Sequence, residues 1–287
     1  MSLDALADHA QACVPARWTP LFPGLGVTTA SEPRSISATF YQPLVCLIIQ
    51  GAKETTIGDH TVRIAAGASV LVSHHVPVTA QITEASPAVP YLALVATLDL
   101  GELRSVYEQV ADELPPARTG SAYEVSRADP AILDVFARYM RLAGDPTDAR
   151  ILLPAVRREL HYRLLRAENS GMVRSLLTSH SHASQVARAI RALQAGYRQR
   201  LEVASLAQSV GMSASSFYKH FKAVTFTTPL QYQKDLRLTE ARRLLERGSH
   251  TVSSVAFEVG YESPSQFSRE YARRFGTPPS QHRGRAS

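Results

Sequence analysis

Between Leu25 and Leu98 apolar residues fall in short runs broken by turn residues, the spacing of strands rather than helices. Leu44-Val-Cys-Leu-Ile-Ile49 is one such run, closed by Gln50-Gly51. Lys53-Glu-Thr-Thr-Ile57, the turn Gly58-Asp59 and His60-Thr-Val-Arg-Ile64 predict a hairpin. Ser69–Val72 and Tyr91–Leu98 add further strands, and the set predicts a small antiparallel barrel or sandwich. Before it, residues 18–23 read as an entry loop. After Leu100 the apolar spacing turns helical, over 101–114, 130–142 and 149–168. The last of these carries Leu152, Val156, Leu160, Leu164 and Leu165 in one stripe, suited equally to packing on the barrel or to a subunit contact. The polar stretch Ser179-His-Ser-His-Ala-Ser184 marks a boundary, giving domains of residues 1–180 and 181–287.

The second domain writes one pattern twice. Leu206, Ala207, Val210 and Gly211 recur as Val255, Ala256, Val259 and Gly260, and Phe217 and Phe221 recur as Phe267 and Tyr271. Each copy reads as a short helix, a glycine-containing turn and a second helix, the helix-turn-helix arrangement. In the second helices, Phe217, Phe221 and Val224 form one inward stripe, and Phe267, Tyr271 and Phe275 the other. The opposite faces are polar and cationic. Ser215, Tyr218 and Lys219 in the first copy, with Ser265, Gln266 and Arg269 in the second, are candidates to read base edges. Lys222, Arg273 and Arg274 are candidates to neutralise phosphates. Between the copies, a helix over about 230–247 has apolar residues on two sides, as expected of a spacer clamped between two units.

Charge sharpens this division. Residues 181–287 hold 16 Lys+Arg against 7 Asp+Glu, a net of +9, whereas residues 1–180 hold 15 against 18, a net of −3. The positive excess lies with the repeated motif, as binding to a polyanion requires. Two cysteines, Cys13 and Cys46, are too few for a disulfide framework and fit a reducing cytoplasm. No apolar run approaches the length of a membrane span, so no membrane partner is expected.

With Pro229-Leu-Gln-Tyr232, Gly260-Tyr-Glu-Ser263 and Phe275-Gly-Thr-Pro-Pro279 in place, residues 185–283 resemble the DNA-binding domain of the AraC/XylS family of bacterial transcription regulators. One position departs from the repeat. Gly276 closes the second recognition helix, but Phe226 stands at the equivalent place in the first. The N-terminal part resembles the cupin-like sensory domain of an AraC subgroup through Pro43–Gly51, His75-Val-Pro-Val78, Glu84–Pro87 and Pro90–Leu94. Together these imply an α+β two-domain protein. A cupin-like antiparallel β-barrel with following helices precedes an all-α domain of two helix-turn-helix units joined by a long helix. The resemblance further implies a small-molecule effector, a homodimer, double-stranded promoter DNA and RNA polymerase as partners, and no cofactor.

Candidate chemistry beyond DNA is sparse. The strand region offers His60, His74 and His75, but adjacent strand residues point to opposite faces, and no His-x-His lies there. Neither a phosphate-binding glycine loop nor a nucleophile elbow is present. The chain therefore reads as a non-enzymatic regulator. A metal-dependent cupin fused to a DNA-binding tail and a ligand-independent DNA-binding protein are the competing readings. Tyr41, Gln50, His74 and Tyr91 are the candidate lining of an effector pocket.

Overall fold

The chain folds, in a computed structural model, into two antiparallel sheets flanked by helices and followed by an all-helical region; residues 3–12, 18–22, 24–116, 120–143, 145–248 and 250–282 are described. Among the described residues, helix α1 (Leu3–Ala12) precedes ten strands: β1 (Trp18–Phe22), β2 (Leu25–Ala30), β3 (Arg34–Tyr41), β4 (Leu44–Gln50), β5 (Ala52–Ile57), β6 (His60–Ala65), β7 (Ala68–Val72), β8 (Val76–Glu84), β9 (Tyr91–Thr97) and β10 (Tyr123–Arg127). The first sheet has the order β1-β2-β9-β4-β7-β10 and the second β3-β8-β5-β6. The predicted hairpin is β5–β6, with Ile57 opposite His60. The expected barrel is thus a pair of packed sheets that leaves edges open, and the expected entry loop at 18–23 is instead edge strand β1, paired with β2.

The continuous apolar run of β4 has a physical reason. Leu44, Cys46 and Ile48 face the space between the sheets, while Val45, Leu47 and Ile49 face the helices. Strand β9 repeats this, with Tyr91 and Ala93 on one side and Leu92, Leu94 and Ala96 on the other. A sheet covered on both faces loses the apolar–polar alternation of a half-exposed one. Its outer cover is α1 with α2 (Leu100–Val110), α3 (Pro130–Leu142), α4 (Pro146–Arg166) and α5 (Gly171–Leu177). Asp99, Asp129 and Asp145 cap α2, α3 and α4 by accepting backbone N–H bonds, and Pro130 and Pro146 open two of these helices. Val156, Leu160, Leu164 and Leu165 of the α4 stripe are buried in this cover, whereas Leu152 remains exposed.

Among the described residues six α-helices follow: α6 (His182–Gly196), α7 (Val203–Ser209), α8 (Ala214–Thr225), α9 (Pro229–Glu246), α10 (Val252–Glu258) and α11 (Pro264–Phe275). The spacer helix predicted over 230–247 is α9. Its two apolar sides go to different cores. Tyr232 belongs to a cluster that also holds Phe217, Phe221 and Val224 of α8 and the inter-sheet residues Ile48, Val72 and Tyr91. Leu238, Ala241, Leu244 and Leu245 pack instead with Val255, Phe267 and Tyr271.

Candidate nucleic-acid interface

Helices α8 and α11 are built alike from the N-terminus on. Ser213 Oγ accepts the Ser216 N–H, and Ser263 Oγ accepts the Gln266 N–H, each at 3.3 Å. These side-chain caps satisfy donors that the first turn of a helix leaves unpaired. The preceding turns need glycine: Gly211 has φ +77° and Gly260 φ +91°. At Gly260 a Cβ would also lie 2.3 Å from the Arg198 carbonyl oxygen. Inward, Phe217, Phe221, Phe267 and Tyr271 are fully buried.

Outward, Ser215, Tyr218, Lys219 and Lys222 of α8 are exposed, as are Ser265, Gln266, Arg269 and Arg273 of α11. Lys219, Lys222, Arg269 and Arg273 have no carboxylate at ion-pair distance among the described residues. Gln266 Nε2 donates to Glu270 Oε1 at 3.1 Å. Glu270 also accepts from Lys234 Nζ of α9 at 3.0 Å and from Tyr261 OH at 2.8 Å. Burial opposes the Glu270 charge, but these hydrogen bonds outweigh it and hold its pKa below the usual carboxylate value. Arg274 points elsewhere. Its Nε lies 3.4 Å from Oδ1 of buried Asp235, so it ties α11 to α9 instead of joining the outer face with Lys222 and Arg273. Burial raises the Asp235 pKa and the Arg274 guanidinium opposes that rise.

Helices α8 and α11 both end in a left-handed residue, Phe226 at φ +61° and Gly276 at φ +73°. A phenylalanine in this region is sterically costly. Phe226 is held there by the β5–β6 turn. Its ring meets His60 edge-on at 6.2 Å, and its carbonyl oxygen lies where a Cβ on Gly58 would sit at 2.5 Å. Nothing lies within 4 Å of a Cβ added at Gly276.

The first helix-turn-helix unit is docked on the sheets at further points. His74 Nε2 bonds the Ala183 carbonyl oxygen of α6 at 3.0 Å, with Nδ1 2.8 Å from Ser73 Oγ. Tyr232 OH lies 2.8 Å from His75 Nδ1 and donates to the His75 carbonyl oxygen at 2.9 Å. Phe40 stacks on His75 at 4.6 Å and meets Tyr232 edge-on at 5.2 Å. Burial depresses the pKa of both His74 and His75 to about 4, so both are neutral at physiological pH. Helix α11 in turn lies against β3.

The four residues expected to line an effector pocket separate. Tyr41 and Tyr91 lie with Lys53 between the sheets. Gln50 Nε2 donates to the Pro90 carbonyl oxygen at 2.7 Å, and His74 joins the docking contact just described. Sequence reasoning missed Phe40, Gly58, Phe226 and Tyr232 as a contact surface, since no periodicity pairs residues so far apart. Lys53 was missed as well, though strand parity with Thr55 and Ile57 places it inward.

A model of the AraC-type transcriptional regulator N-terminus matches residues 21–172, and a helix-turn-helix domain model matches residues 206–285. The virulence regulon transcriptional activator VirF of Yersinia enterocolitica is 32% identical over 91 residues, spanning 32% of this chain and 34% of VirF, well under two thirds of that relative. The HTH-type transcriptional regulator YobQ of Bacillus subtilis is 27% identical over 184 residues, covering 59% of this chain and 73% of YobQ. Among solved structures, an apo ToxT variant of Vibrio cholerae shares the fold with a TM-score of 0.61 at 10% identity, over 90% of this chain and 96% of that one. Another ToxT structure, described as bound to an unsaturated fatty acid, matches with a TM-score of 0.58 at 10% identity, over 90% and 93% of the two chains.

Proposed function

Because the chain belongs to the AraC-type family of transcriptional regulators, we propose that it is a sequence-specific DNA-binding regulator whose N-terminal sheets bind a small-molecule effector. The observation that carries this reading is the pair of similarly capped helices, α8 and α11, each presenting exposed cations free of carboxylate partners on the face opposite its core. Ser215, Tyr218, Lys219, Ser265, Gln266 and Arg269 then face base edges, and Lys222 and Arg273 neutralise phosphates. Arg274 acts through Asp235 in holding α11 to α9, a role in place of the phosphate contact expected of it. Helix α9 has 18 residues, about 27 Å at 1.5 Å per residue. That length suits two recognition helices set in successive major grooves about 34 Å apart.

The regulator acts in the cytoplasm, on promoter DNA, as a homodimer that contacts RNA polymerase. Bound effector alters how the sheets hold α9 through Phe40, His75 and Tyr232. The unsaturated fatty acid described as bound to ToxT, a protein of the same fold, supports a small-molecule effector without naming the one used here. No enzymatic step is part of this reading.

Binding-site selection followed by competition tests it. The selected duplex should outcompete random duplex by about 10³ or more at physiological salt. Equal competition by random DNA would leave only a sequence-blind binder. Lys222→Ala should weaken binding to all sequences alike and lower the slope of log K against log salt by about 0.9.

A further inference from the structure

The space between the two sheets is lined by apolar side chains such as Ile48 and Val70, with one cationic exception. Inward positions of β5 alternate through Ile57, Thr55 and Lys53, and Lys53 is only 3% exposed. Its Nζ reaches Tyr41 OH at 3.4 Å and Cys46 Sγ at 3.8 Å, and it lies 5.4 Å from the Tyr41 ring centroid. Tyr91 and Tyr123 complete its electrostatic surroundings. No carboxylate pairs with it among the described residues.

A buried ammonium is costly unless an anion and good hydrogen bonds compensate for the lost hydration. The Tyr91 and Tyr123 hydroxyls supply no anion at neutral pH, since burial pushes both well above their ordinary pKa. Burial works against the Lys53 charge, and the contacts to Tyr41 OH and Cys46 Sγ are the compensation that its own neighbours supply. Two more donors converge on the same place. Thr55 Oγ1 and Tyr123 OH are both buried there, and neither has a hydrogen-bond partner at ordinary distance. An ammonium and several hydroxyls, enclosed by hydrocarbon and lacking an acceptor anion, complement a carboxylate, which accepts at two oxygens.

We propose that Lys53, with Tyr41, Thr55 and Tyr123, forms a binding site for a small organic carboxylate between the two sheets. This deepens the reading of the N-terminal layers as effector-binding and rests on it. The site also has a path to the DNA-binding region. Tyr41 contacts Lys53, and the next residue back along β3, Phe40, packs on His75 and Tyr232.

The test uses the full-length chain and a probe series of acetate, butyrate, hexanoate and benzoate, each beside its uncharged amide, read by thermal shift and calorimetric titration without DNA. At least one acid should raise Tm and bind saturably, and its amide should bind about tenfold more weakly or not at all. Lys53→Met, which keeps the length of the stem without its charge, should lose that response while folding at least as stably as the parent. Tyr123→Phe removes one hydroxyl from a residue that keeps its packing, and should raise Kd several-fold even if Lys53→Met fails to fold. Acid and amide binding alike, an unchanged Kd in a folded Lys53→Met or in Tyr123→Phe, or silence across the whole series would each overturn the proposal. Specific DNA binding measured separately keeps its failure distinct from failure of the regulator reading. A chain that binds its selected duplex but no carboxylate loses this site alone.

Discussion

The two helix-turn-helix units share a plan but differ in what holds them. The first unit has no private core: Phe217, Phe221 and Val224 belong to the same buried cluster as the inter-sheet residues, joined through Tyr232. The second closes on itself around Phe267, Tyr271 and the far half of α9. Their helix ends differ in the same sense. Phe226 adopts a left-handed backbone braced by Gly58 and His60, whereas Gly276 adopts the same conformation in open space, where only its missing side chain makes that inexpensive. A repeat can therefore conserve geometry while dividing labour. The first unit shares its core with the N-terminal sheets, and the second keeps its own core on α9 while α11 lies against β3.

The largest expected effect breaks that contrast at the cores. Phe221→Ala and Phe267→Ala each empty a fully buried site and should each cost about 3–5 kcal/mol. Hydrogen exchange should separate them. Phe221→Ala should loosen the inter-sheet strands together with α8, and Phe267→Ala should loosen α10 and α11 while the strands keep their protection. Identical exchange patterns would mean that the cores are not divided as described.

Acid should pull on the first unit selectively. His74 and His75 have folded-state pKa values of about 4 against an ordinary 6.5, because burial disfavours their charged forms. Below 6.5 the undocked state binds more protons, so docking is fully stable above that pH and weakens as pH falls toward about 4. Each histidine should remove about 2 kcal/mol by pH 5. Exchange at the start of α9 and in α6 should accelerate between pH 7 and 5, with the effect reduced in His75→Gln.

A smaller contrast lies at the glycines. Gly58→Ala places a Cβ against the Phe226 carbonyl oxygen and should cost about 1–3 kcal/mol, felt on both sides of the docking contact. Gly276→Ala meets no neighbour within 4 Å and bears only the left-handed penalty, about 1 kcal/mol confined to the end of α11.

Much of this plan is legible in the chain. Repeated apolar spacing, serine caps and glycine turns give both helix-turn-helix units, and α9 begins and ends within a residue of the predicted 230–247. Those signals are local, which is why they survive without tertiary information. The stretch that forms β1 has the look of a loop because Pro20 and Pro23 are turn residues, while an edge strand tolerates a missing donor. The Phe226 anomaly is visible in the repeat, but its brace at Gly58 is not, since the two are far apart in sequence and meet only after folding. Arg274 resembles Arg273 in the sequence, and only the placement of Asp235 on α9 turns it inward. Lys53 is the opposite case. Alternation along β5 marks it as inward-facing, and its charge alone makes it look like a surface residue.

Footprinting at base resolution on the selected duplex decides whether the two units read DNA as a pair. The parent chain should protect two major-groove patches about one helical turn, roughly 10 base pairs, apart. Lys219→Ala should erase base-specific protection in one patch and Arg269→Ala in the other, each at a cost of about 1–3 kcal/mol. A single protected patch, or two variants that fade the same patch, would contradict the assignment of α8 and α11 as paired recognition helices.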